Sequence, residues 1–93
     1  MARFTVRVEL HRATEGDYEQ LHSAMEAEGF SRLLTSDEGE TYHLPTAEYN
    51  VETNNSTSAV LKSARSAAAS TNLGYEVLVT KSAGRQWYRL EKA

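Results

Sequence analysis

The chain has 93 residues, 40% hydrophobic and 25% charged, which suits one globular domain over residues 1–93 and not two. The absence of cysteine excludes disulfides, thiolate catalysis and thiolate metal sites, and a net charge of −3 argues against a general nucleic-acid binder. No run approaches the ~20 apolar residues of a membrane span, and Met1-Ala2-Arg3-Phe4 is not an apolar leader, so a cytoplasmic protein with no membrane partner is expected.

Residues 3–10 alternate, with Phe4, Val6, Val8 and Leu10 on one face and Arg3, Thr5, Arg7 and Glu9 on the other, which predicts a strand with one buried side. Thr14 can cap a helix, with Asp17 three residues on. Tyr18, Leu21 and Met25 form its stripe, and Gly29 is its stop. Phe30–Thr35 reads as a second strand and Glu40–Leu44 as a third, joined by the turn Ser36-Asp37-Glu38-Gly39. Pro45 interrupts regular pairing, and residues 44–51 resume as an extended edge.

A second helix spans about Thr57–Ser70, with Val60, Leu61, Ala64, Ala67, Ala68 and Thr71 on one face; small residues there let it lie close to a sheet. Tyr75–Thr80 is a fourth strand. After the turn 81–84, Arg85–Leu90 is a fifth. The order predicts an α+β fold, a ferredoxin-like β-α-β-β-α-β sandwich with an additional C-terminal strand. Both helices then cover one sheet face. With the first and third strands as neighbours and Leu10 opposite about Glu40, His43 falls near Arg7 on the open face.

Charge is unevenly spread. Residues 1–12 carry Arg3, Arg7 and Arg12 against Glu9, and residues 13–52 carry ten acids against Arg32 alone. Residues 53–93 carry six bases against Glu76 and Glu91, so an acidic middle lies between basic ends.

No glycine-rich phosphate loop or metal-ligand spacing is present, and neither a cofactor nor a metal is expected. His43 beside Arg7 and Glu9 is the leading catalytic candidate: histidine moves a proton on a phosphodiester while arginine holds the phosphate. His11, at the end of the first strand, is a further catalytic candidate. His22, at the margin of the helix stripe, reads as a structural residue. Arg3, Arg7, Glu48, Tyr49 and Arg85 are binding candidates, although packing over an edge is the simpler role for Tyr49. Trp87 and Tyr88, beside Arg85 and Arg89, have the chemistry to stack on bases, although core or interface packing is the commoner use of such aromatics.

The segments Arg7-Val8-Glu9-Leu10-His11, Asp17-Tyr18, Leu21-His22, Gly29-Phe30, Tyr42 through Tyr49, and Val77-Leu78-Val79-Thr80 with Arg85 and Trp87 resemble short bacterial proteins grouped with the GhoS-type endoribonuclease antitoxins. The resemblance implies a ferredoxin-like fold, related in shape to the small CRISPR adaptation nucleases, and cleavage of a toxin messenger RNA. It carries no active residue over. Those nucleases favour an aspartate after the first strand, where this chain has His11-Arg12, so the resemblance does not extend to their metal-dependent cleavage. Two functions stand side by side: an RNA-binding or endoribonuclease antitoxin-like protein, and a non-enzymatic homodimeric module that binds a protein or ligand.

Overall fold

The computed structural model describes residues 1–93. Its elements are β1 (Ala2–Leu10), α1 (Glu15–Ala27), β2 (Leu33–Thr35), β3 (Thr41–His43), β4 (Glu48–Thr53), α2 (Thr57–Ala69) and β5 (Tyr75–Ser82). β1 is the centre of an antiparallel three-stranded sheet in the order β4-β1-β5, and β2 and β3 form a separate hairpin.

The alternation of β1 makes it the centre. Phe4, Val6, Val8 and Leu10 are buried against Leu21 and Met25 of α1 and Val60, Ala64, Ala67 and Ala68 of α2. Both helices therefore seal one face. α1 begins in a capping box: Asp17 N–H donates to Thr14 Oγ1 at 3.2 Å and Thr14 N–H donates to Asp17 Oδ2 at 2.8 Å. It ends at Gly29, whose φ of 95° is left-handed, as glycine allows. Ser56 caps α2 by accepting from Ala59 N–H at 3.1 Å.

The mixed α+β class is as expected, and its order is compatible with a ferredoxin-like sandwich. Two details differ. The strand beside β1 is Glu48–Thr53, not Glu40–Leu44: Val6 opposes Tyr49 and Arg7 opposes Glu48. The reason is length and pattern. β4 supplies six residues with Tyr49 and Val51 inward, whereas Thr41–His43 has three before Pro45, which has no N–H to extend a ladder. The hairpin attaches to the main sheet through a single bridge, Ser31 to Asn50.

The second difference is the C-terminus, where no fifth sheet strand forms over Arg85–Leu90. β5 runs on to Ser82, and the chain then leaves the sheet and crosses to the hairpin. There the Trp87 and Tyr42 rings lie 5.4 Å apart, and Tyr42 bridges Lys92. Arg89 takes a positive φ of 61°, which breaks extended geometry.

Candidate functional site

The open face of the sheet is not the basic surface that the terminal arginines suggested. Antiparallel pairing sets acids against them. Arg3 Nε donates to Glu52 Oε1 at 2.8 Å, and Arg7 stands opposite Glu48. Arg85 folds back and donates to Asn50 Oδ1 at 2.7 Å. Burial, then the Arg3 charge, makes Arg85 easier to deprotonate than an ordinary arginine. Glu9 and Glu76 oppose each other across β1 and β5, and His11 Nε2 lies 3.1 Å from Glu76 Oε1. Arg7 and Glu9 line a shallow groove with Glu76 and Leu78, so of the catalytic candidates these two do share a surface.

His43 is elsewhere. It sits on β3 opposite Leu33, in the hairpin, and the expected meeting with Arg7 depended on a register that does not form. Its neighbours are different basic residues. A cleft of about 440 Å³ is lined by His43 with Arg32, Thr46, Arg89 and Glu91. Backbone bonds fix this corner from two sides: Leu44 N–H donates to the Arg32 carbonyl at 2.8 Å, and His43 N–H donates to the Glu91 carbonyl at 2.8 Å. Neither Arg32 nor Arg89 has a carboxylate within 4.0 Å, as the ion pairs of the molecule are Arg3–Glu52, His11–Glu76 and Lys92–Glu40. Tyr88, next to Arg89 in the chain, is 84% exposed, with the Arg89 guanidinium 6.0 Å from its ring centre.

Arg32 also lines a second cleft, of about 370 Å³, with His22, Glu26, Phe30 and Ser31. His22 Nδ1 is 2.6 Å from the Tyr49 hydroxyl. Tyr49 is fully buried, so it is a core residue and offers no surface to a partner. Burial pushes its phenol up to about 12. Burial, then the Arg32 charge, holds His22 below the ordinary histidine value. Glu48 remains half-buried at the head of β4, on the rim of a groove with Arg7 and Tyr18.

Arg32 carries little signal in the sequence. Its one signal was that it is the single base among residues 13–52. No group of three or more histidine, aspartate or glutamate side chains is arranged to hold a metal ion.

Fold and cleft together define a small α+β protein with a corner lined by two arginines, a histidine and a glutamate. The chain belongs to the endoribonuclease GhoS family, whose model matches residues 1–87. No curated protein matches it. No helix is long and apolar enough to cross a membrane.

Proposed function

We propose that this chain is an antitoxin-type endoribonuclease that cleaves single-stranded RNA at the hairpin corner. The observation that carries the reading is the meeting of His43 with two guanidinium groups free of carboxylate partners in one cleft, in a chain of an endoribonuclease family. Arg32 and Arg89 hold the phosphodiester, since guanidinium matches phosphate oxygens in shape and charge. His43 takes the proton of the ribose 2′-hydroxyl. The 2′-oxygen then attacks phosphorus, the bond to the 5′-oxygen breaks, and that oxygen leaves with a proton from water. The products are a 2′,3′-cyclic phosphate and a 5′-hydroxyl. Tyr88 stacks on an unpaired base, which favours single strands.

The test is purified protein with mixed single-stranded RNA in EDTA. The expected products carry cyclic phosphate ends, and binding weakens with salt. Absence of both cleavage and salt-sensitive binding contradicts the reading.

One observation favours a second reading, a homodimeric binding module. β5 is a sheet edge, and Leu78 at its middle is 63% exposed. Val77 and Val79 beside it are only half-buried. Pairing of β5 with its copy would cover all three. Sedimentation across a concentration series tests this, and a monomer throughout removes it.

A further inference from the structure

The hydroxyl of Tyr49 is fully enclosed, and its one hydrogen-bond partner is His22 Nδ1 at 2.6 Å. No buried side-chain polar atom of the molecule lacks a partner. A phenol has one proton to donate. With no other protein acceptor in reach, that proton goes to Nδ1, because the opposite arrangement leaves a buried O–H unpaired. An Nδ1 that accepts belongs to a neutral imidazole whose proton is on Nε2. Protonating the ring would place two hydrogens between Nδ1 and the phenol oxygen. The tyrosine thus sets both the tautomer and the charge of His22.

Nε2–H has no partner within the protein, and His22 lines the same cleft as Arg32. We infer that His22 Nε2–H and Arg32 form a phosphate-binding pair, in which His22 is a fixed hydrogen-bond donor and not a base, and Tyr49 is its positioning residue. Both donors line one cleft, one of them charged, and this suits the oxygens of a phosphodiester. Glu26 is the acceptor in the same cleft and suits a ribose hydroxyl next to that phosphate. The charged groups bearing on His22 are Arg32, which opposes its protonation, and Glu19, which favours it; Tyr18 lies with its ring centre 6.4 Å away. Because Arg32 lines both clefts, the pair would hold the phosphate neighbouring the one at His43. This inference rests on the RNA reading for its ligand but not for its tautomer.

The experiment is long-range proton–nitrogen NMR of the His22 ring in the full chain, alone, then with inorganic phosphate, then with a 2′-deoxy oligonucleotide that cannot be cleaved. The expected spectrum has Nε2 protonated and Nδ1 bare, with both ligands moving the ring signals. In Tyr49→Phe the ring samples both tautomers and takes its second proton at higher pH. His22→Phe should bind the oligonucleotide about tenfold more weakly, and His22→Gln, which still offers an N–H, should recover part of that loss. An Nδ1–H tautomer in the native protein overturns the inference, and so does unchanged binding by His22→Phe. Phosphate binding with the expected tautomer, in a protein that cleaves no RNA, would support the donor pair while removing the nuclease reading.

Discussion

The open sheet face and the hairpin corner both carry arginines, and they differ in what stands opposite. On the sheet, antiparallel pairing brings Glu52 into an ion pair with Arg3 and sets Glu48 opposite Arg7 in the register without an ion pair, and Arg85 donates to Asn50. In the corner, Arg32 and Arg89 flank the short β2–β3 ladder and line one cleft with His43, without a carboxylate in ion-pair range. A run of basic residues in sequence therefore does not mark a binding face. Regular cross-strand pairing can set acids opposite it, whereas Arg32 and Arg89 have no carboxylate in ion-pair range.

The sharpest way to break this contrast is His43→Ala. Cleavage of single-stranded RNA should fall by about 10²–10⁴-fold, the usual range for a general acid–base group, with the circular dichroism spectrum unchanged. Next in size, Arg32→Ala or Arg89→Ala should weaken binding of uncleavable RNA and lower the slope of log affinity against log salt by about one unit.

Stability should respond to pH through His22. Its native form resists protonation and the unfolded chain does not, so below the ordinary histidine value of about 6.5 the unfolded state binds more protons. Stability contributed by neutral His22 is complete above that value and declines as pH falls below it. Thermal melts from pH 7.5 to 5.5 should show the decline, and Tyr49→Phe should flatten part of it by raising the histidine. The smallest effect belongs to the sheet face. Arg3→Ala removes an exposed ion pair, and denaturant titration should register about 1 kcal/mol or less.

The main elements were legible because their signals were local. The β1 alternation, the Thr14 capping box, the alanine face of α2 and the Tyr75–Val79 pattern each need only neighbouring residues. The partner of β1 was not legible. Both Glu40–Leu44 and Glu48–Thr53 have extended patterns, and only the packing of Tyr49 beneath the helices chooses between them. The site suffered from the same ambiguity. His43 stood out by residue type, but its arginine partner followed from the wrong register. Arg32 and Arg89 both lie in segments that read as strands, Phe30–Thr35 and Arg85–Leu90, and the cleft they line with His43 exists because the second of these leaves the sheet.

The most direct test of the corner is a side-by-side assay of Arg7→Ala and His43→Ala on one single-stranded RNA. Arg7→Ala should keep its fold, as surface changes are nearly neutral in stability, and should cleave at close to the native rate, while His43→Ala should lose cleavage. Loss of cleavage in Arg7→Ala with His43→Ala still active would place the chemistry on the open sheet face and contradict this prediction.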